Sequence, residues 1–374
     1  MSMTGSQELL ATLSPMDFNR RIVKARESLP ENMDALYLTH LTNIRYLTGF
    51  TGSNAALYLT RNSLTFFTDG RYTTQSHEQI SAAGVNADIK VSGPGQSFFD
   101  FLTDLIEVGT HIGFEADTLS YAGASRLIEH FDEATFEPTS NFIEDIRIIK
   151  DAGEVDRIRA ACRIADEALE EVKEYLKEFP TEKDFAKALD RKMVDLGAEG
   201  NSFETIVACG TRAALPHAVP TDAKIEPHQM IVIDFGCMVD GYCSDMTRTL
   251  SVGEPDADQQ KMYAQVLESQ RLGREYAKSG VTAGEVDAKC RDFLNSEGVG
   301  EYFAHGTGHG VGLDIHEAPR VGGKVQDILQ TGYIVTVEPG IYIEGKAGVR
   351  IEDTLCITEE GAEVLTTAPK ELVV

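Results

Sequence analysis

The chain has 374 residues, 42% hydrophobic and 25% charged, which is length enough for two domains with a core each. Its formal net charge of −26 creates a field that repels nucleic acid and anionic membranes, so neither is an expected partner. No apolar run approaches the roughly 20 residues that span a bilayer. The N-terminus shows no basic stretch leading into an apolar core, and the six cysteines form no Cys-x-x-Cys pair. The expectation is a cytoplasmic protein with reduced thiols, no signal peptide and no zinc site built on sulfur.

In chain order, "SPMDFNRRIVKARESL" opens a helix with Ser14 as N-cap and Pro15 at the first helical position. Four short strand patterns follow, "DALYLT", "NAALYLT", "SLTFFTDG" and "ADIKVSG", and "TLSYAGASRLIEHF" reads as a further helix. These make a small α/β unit ending near residues 141–147, giving a predicted first domain of 1–145 and a second of 146–374. "NFIEDIRIIKDAGEV" then runs into a long amphipathic helix with Ile158, Ala161, Ala165, Ala168, Leu169, Val172 and Leu176 on one face. Thr181-x-x-Asp184 and Thr282-x-x-Glu285 mark two later helix starts with capping-box spacing. Strand hairpins lie between and after them, so the second domain is α+β, and it holds the dense chemistry.

A weak internal repeat runs through that domain. "IVIDFGCMVDGYCSDMTRTL" and "VTVEPGIYIEGKAGVRIEDTL" each have an apolar strand ending in an acid, a tight connection, and a return strand with a second acid. The pairs are Asp234/Asp245 and Glu338/Glu352. Asp240-Gly241 signals a two-residue hairpin turn. The register it sets pairs Val239 with Tyr242, Asp234 with Thr247 and Gly236 with Asp245, leaving the two aspartates as diagonal neighbours on one face. Alternation puts Arg350, Glu352 and Thr354 together. Solvent-facing acids are the competing reading for either hairpin alone, but "IVID" is apolar up to its acid, as a buried strand end would be. Four carboxylates on two like hairpins predict a pseudo-symmetric sheet around a shared cavity.

"HGTGHGVGLDIHE", residues 305–317, carries three of the nine histidines. It fails the dinucleotide fingerprint, the P-loop and His-Glu-x-x-His. Its alternating glycines disfavour a helix, and they are expected to let a ligand approach the backbone while imidazoles project into a cavity. Four carboxylates plus an imidazole form a hard site that suits Mn²⁺, Co²⁺ or Zn²⁺. Four negative charges balance two divalent ions, which can activate water and stabilise an oxyanion. The expected chemistry is hydrolysis.

Together these residues resemble the pita-bread metallopeptidases, in particular their Xaa-Pro branch of prolidases (Xaa-Pro dipeptidases) and aminopeptidases P. The resemblance runs from "NIRYLTGFTGSNAALYLT" through "FETIVACGTRAALPHA" to "GVRIEDTL". It implies a ribonuclease-H-like α/β N-terminal domain of creatinase/prolidase type, and an α+β pita-bread catalytic domain with pseudo-twofold symmetry. It further implies a homodimer and two divalent metal ions, manganese ahead of cobalt or zinc. By motif position, Asp234 is implied to chelate one metal, His309 and Glu338 the other, and Asp245 and Glu352 to bridge both. Glu338 would also manage the proton of the attacking hydroxide. His217 and His316 match histidines that hydrogen-bond substrate and the tetrahedral intermediate. His305 and Arg320 fall on the substrate side, and Arg350 matches an arginine that pairs with a ligand aspartate.

The implied reaction is hydrolysis of the Xaa-Pro bond, which lacks an N–H and carries a rigid ring. Compact length and Arg320 incline the reading toward Xaa-Pro dipeptides, with aminopeptidase P activity on longer peptides as the alternative. A metal-independent creatinase-like hydrolase would lack the full ligand set seen here. A non-catalytic binding protein is the remaining alternative, and the retained ligands argue against it. Methionine aminopeptidases share the ligand pattern, but the N-domain and proline-branch motifs point away from them.

Overall fold

The structure is a computed structural model that describes residues 12–374; most of the N-terminal stretch read for a leader lies outside them. The chain folds as two compact units, Met16–Arg147 and Ile148–Val374, the second including residues 12–15. The first helix of the smaller unit, Phe18–Glu27, is capped by Asp17, whose carboxylate accepts the Arg20 N–H. Ser14, the expected cap, instead gives its own N–H to Asp156. An aspartate three residues before an unpaired amide satisfies it directly, which displaces the start from Ser14 and Pro15.

The four predicted strands appear as β1 (Ala35–Leu38), β2 (Ala55–Thr60), β3 (Leu64–Asp69) and β4 (Asp88–Ser92). Two more, β5 (His111–Glu115) and β6 (Thr135–Thr139), complete a mixed sheet of order β4-β3-β2-β1-β5-β6. Pro138 hid β6 from a pattern reading; it is tolerated because β6 is an edge strand. The predicted helix over Tyr121–His130 forms with Ser120 as its cap.

The larger unit is built from two successive α-α-β-β-β runs. The first comprises α1 (Ala152–Val172), α2 (Glu182–Asp195), β7 (Ile206–Cys209), β8 (Ile231–Phe235) and β11 (Met246–Leu250). A tip ribbon, β9 (Met238–Val239) and β10 (Tyr242–Cys243), extends from it. The second comprises α3 (Ala257–Tyr276), α4 (Ala283–Ser296), β12 (Gly308–Gly310), β14 (Ile334–Val337) and β17 (Asp353–Ile357). Its accessory strands are β13 (Glu317–Val321), β15 (Gly340–Ile343), β16 (Ala347–Arg350) and β18 (Ala362–Val364). The sheets run β11-β8-β7 and β13-β12-β14-β17-β18.

Each half has its own core. Ala161, Ala165 and Leu169 of α1 meet Phe185 and Leu189 of α2 and Ile231, Ile233 and Phe235 of β8. In the second half Val266, Val286 and Leu294 pack with Val335, Val337 and Leu355. Leu176 is buried as expected, but on a 3-10 turn beyond α1. Both threonine caps form; only Thr282 with Glu285 makes the reciprocal box, because Glu285 accepts the Thr282 N–H whereas Asp184 accepts the Thr181 hydroxyl.

The hairpin registers position the acids. In the first, Asp234 faces Thr247 and Val239 faces Tyr242, with one register carried across the break between the ribbons. Asp240 and Gly241 both have positive φ, 48° and 75°, as a primed two-residue turn requires. In the second, Val337 faces Asp353 and Gly340 faces Arg350, again one register across a break. Glu338 and Glu352 lie in that break. Cross-links join the hairpins: Thr354 Oγ1 donates to the Asp245 carbonyl at 2.7 Å, and the Glu352 N–H donates to the Thr247 carbonyl at 3.1 Å.

Behind them, Asp353 is wholly buried and accepts from Arg248 at 3.0 Å, Gln270 at 2.8 Å and Lys370 at 2.9 Å. Burial alone would raise its carboxyl, but the Arg248 and Lys370 charges outweigh that and hold it below the ordinary 3.8. Its stabilisation is therefore present above that pH and is lost as pH falls through the folded value. Asp353→Ala strands a buried guanidinium and should lower stability by about 3–5 kcal/mol in urea denaturation. A loss under about 1 kcal/mol would show the network to be incidental.

Candidate active site

All ten residues singled out from the sequence line one cavity of about 1060 Å³ in the larger unit. Asp234 projects from β8, and Asp245 precedes β11. His309 is the centre of β12, and Glu338 and Glu352 occupy the break in the second hairpin. His217 stands on a turn after the 3-10 segment Gly210–Ala214. His316 precedes β13, Arg320 lies within it, and Arg350 ends β16. Phe203, Ile206, Val219, Ile315 and Val325 supply an apolar wall.

The centre is crowded with acid. Ligand atoms of Asp245, His309 and Glu352 lie within 4.8 Å of one another. His309 Nε2 is 3.5 Å from both Asp245 Oδ2 and Glu338 Oε1. Asp234 is held at 2.6 Å by Arg350 Nη2. Thr247, opposite Asp234, donates its hydroxyl to Glu352 Oε2 at 2.7 Å and accepts Arg350 Nε at 3.0 Å.

Burial dominates the titration of these groups. It pushes Glu338 up to about 8, with the Arg350 charge opposing and Asp234 adding to the rise. Asp245 and Glu352 are raised well above the carboxylate range, by burial first and then by their acidic neighbours. Burial lowers His309 to about 4, so its ring is neutral. Its Nδ1 lies 2.9 Å from the Gly310 carbonyl and donates there, which turns the Nε2 lone pair toward the acids. The Nε2 lone pair and the carboxyl oxygens thus face one space, a set of donors that a cation can share.

Two further observations fit a cation. Asp234 Oδ1 and Glu352 Oε1 are buried with no hydrogen-bond donor, an arrangement that costs free energy unless something positive completes it. Oxygen donors with one imidazole suit a hard or borderline divalent ion. The residues present therefore fit divalent metal.

Tyr342 was not foreseen. Its hydroxyl accepts Arg350 Nη1 at 2.8 Å and lies 2.9 Å from His305 Nε2, and burial raises it to about 12. Thr247 was legible, since the predicted register already placed it beside Asp234. The glycines carry a packing constraint besides the role expected of them, and Gly306 and Gly308 do line the cavity. A Cβ on Gly308 would meet the Thr336 carbonyl oxygen at 2.1 Å, and one on Gly310 would meet that of Ala318 at 2.2 Å. The crowding atoms belong to neighbouring strands, so Gly308 and Gly310 also let β12 fit between β13 and β14.

Residues 156–359 match "Metallopeptidase family M24", and residues 21–149 match "Creatinase/Prolidase N-terminal domain". The chain belongs to metallopeptidase family M24, with the creatinase-type N-terminal and pita-bread arrangement expected from its motifs. Members of this family use divalent metal ions. The chain is 36% identical over 353 residues to the Xaa-Pro dipeptidase of Pyrococcus furiosus, covering 94% of this chain and 99% of that one. It superposes on the structure of an Xaa-Pro dipeptidase from Bacillus anthracis with TM-score 0.90 at 39% identity, covering 96% and 100%. An X-Pro aminopeptidase from Thermotoga maritima gives 0.84 at 35% identity, covering 91% and 98%.

Glu338, pushed by burial up to about 8, holds a proton at neutral pH that a metal must displace. Metal titration should release protons, seen in calorimetry as a dependence on buffer ionisation enthalpy, and affinity should tighten as pH rises toward about 8. Buffer-independent heats would contradict the arrangement.

Proposed function

We propose that this chain hydrolyses the peptide bond before proline through two divalent ions. Asp234, Asp245, His309, Glu338 and Glu352 hold them, with Asp245 and Glu352 shared between both. The observation that carries the reading is the convergence of all five side chains on one cavity together with His217, His316, His305 and Arg320. Bound metal would polarise the scissile carbonyl and supply a nucleophile at neutral pH. Manganese is the first candidate, ahead of cobalt or zinc.

The chain's own groups divide the remaining work. Glu338, once metal has displaced its own proton, would take a proton from the attacking water and return it to the leaving nitrogen. His217 and His316 stand exposed on the cavity and offer N–H groups to the carbonyl oxygen and the tetrahedral species. His305 is kept neutral by burial and borders the substrate side. Arg320, exposed on β13, is placed for the carboxylate of an Xaa-Pro dipeptide. Arg350 fixes one oxygen of Asp234 and leaves the other for metal.

Aminopeptidase P activity on longer peptides is the second reading, favoured by a cavity at the large end for small-ligand pockets. Paired assays on Xaa-Pro and Xaa-Pro-Xaa substrates decide between them, and much faster tripeptide cleavage would establish the second. Six buried free cysteines support a reducing, cytoplasmic setting. The family resemblance supports a homodimer, which light scattering tests.

Asp245→Ala should abolish turnover and lose metal together, because a shared ligand serves both ions. Near-wild-type turnover with metal retained would sink the dinuclear assignment.

A further inference from the structure

Two buried carboxylates outside the cavity occupy comparable places in the two halves. Glu182, wholly buried, begins α2 beside its cap Thr181. Its Oε1 accepts the Cys209 N–H at 2.9 Å and Arg212 Nε at 3.1 Å. Its Oε2 accepts Arg212 Nε at 3.0 Å, the Thr221 N–H at 2.9 Å and the Thr221 hydroxyl at 2.7 Å. Arg212 Nη2 also reaches the Val219 carbonyl at 2.7 Å. Both stems of the loop that carries His217 are thus tied to one carboxylate.

Asp287, 1% exposed, sits in α4 one helical turn farther from its own cap, Thr282. Its Oδ1 accepts Arg291 Nη2 at 2.9 Å, the Thr307 N–H at 3.2 Å and the Thr307 hydroxyl at 2.9 Å. Its Oδ2 accepts Arg291 Nε at 2.9 Å. Arg291 goes on to the carbonyls of Phe303 at 3.1 Å and His305 at 2.7 Å.

The parts match: a carboxylate on the second helix, an arginine, and a threonine that gives both N–H and hydroxyl. Each set closes on the histidine-bearing segment of its half. Each also reaches the site through backbone. The Thr307 carbonyl accepts the Glu338 N–H at 2.7 Å, and the Pro216 carbonyl accepts Arg350 Nη1 at 3.2 Å. Neither carboxylate lines the cavity. What they do is remove conformational freedom from loops whose side chains must stand in place before reaction.

We propose that Glu182 and Asp287 are paired positioning residues for the hydrolytic site. Glu182 sets the His217 loop, and Asp287 sets the segment with His305 and His309 and, through Thr307, the backbone of Glu338. The proposal rests on the peptidase reading above. It separates the two clamps, since only the second governs metal ligands directly.

The test compares full-length Glu182→Gln and Asp287→Asn with the wild type. Mn²⁺ affinity of the metal-stripped chain, kcat and KM on Xaa-Pro peptides, and hydrogen exchange by mass spectrometry are the readouts. Asp287→Asn should weaken Mn²⁺ binding about tenfold and speed exchange over 303–309 alone. Glu182→Gln should leave Mn²⁺ affinity near wild type, lower kcat about tenfold with little change in KM, and speed exchange over 209–221 alone. Folded variants with wild-type affinity and turnover, or the same losses in both, overturn the proposal. If either variant fails to fold, Thr221→Val and Thr307→Val remove one donor from each clamp and carry the same contrast. A wild-type chain that binds Mn²⁺ but cleaves no Xaa-Pro peptide overturns the peptidase reading alone, while affinity and exchange still decide the clamps.

Discussion

Like charges repel most strongly where no water screens them, and Asp245 and Glu352 share such a place at 5% and 1% exposure. Much of the larger unit serves to hold them there. Thr247 and Thr354 stitch one hairpin to the other, Arg350 neutralises Asp234, and the Gly310 carbonyl fixes the His309 tautomer. Burial raises both carboxyls toward their protonated forms, which eases the repulsion. Divalent metal relieves it by replacing those protons, so the strain of assembly becomes affinity for the cofactor.

The duplicated α-α-β-β-β plan explains how four acids converge without a long-range coincidence. Each half presents its pair from one hairpin, and two like hairpins facing each other close the set. Their separate cores let each half hold its own geometry, while the buried Arg248–Asp353 pair locks one hairpin against the other.

The first hairpin was legible because Asp240-Gly241 admits few turns, and a turn fixes every partner behind it. The ten cavity residues were legible through their motifs. The packing constraint on the glycines of β12 was not legible, because crowding by Thr336 and Ala318 comes from strands distant in sequence. Glu182 escaped notice for a related reason. An acid in the first turn of a helix is locally unremarkable, since the helix dipole favours it there. Its hydrogen bonds reach residues 27 to 39 positions away, which no periodicity records. Ser14 failed as a cap because the helix begins only at Phe18, where Asp17 accepts the Arg20 N–H.

Both hairpins keep a single register across a break, and this separates two kinds of change in length. Side chains alternate faces with every residue, so one residue inserted within a break would swing the neighbouring acid to the opposite face. Residues added at the tip, beyond the Val239–Tyr242 or Ile343–Ala347 pairs, lengthen the turn without altering any partner behind it. The exposed tip at 344–346 is therefore where the chain tolerates elaboration, by evolution or by grafting, whereas the Asp240-Gly241 tip is pinned by Arg157 and Glu199, and the breaks are where the length is fixed.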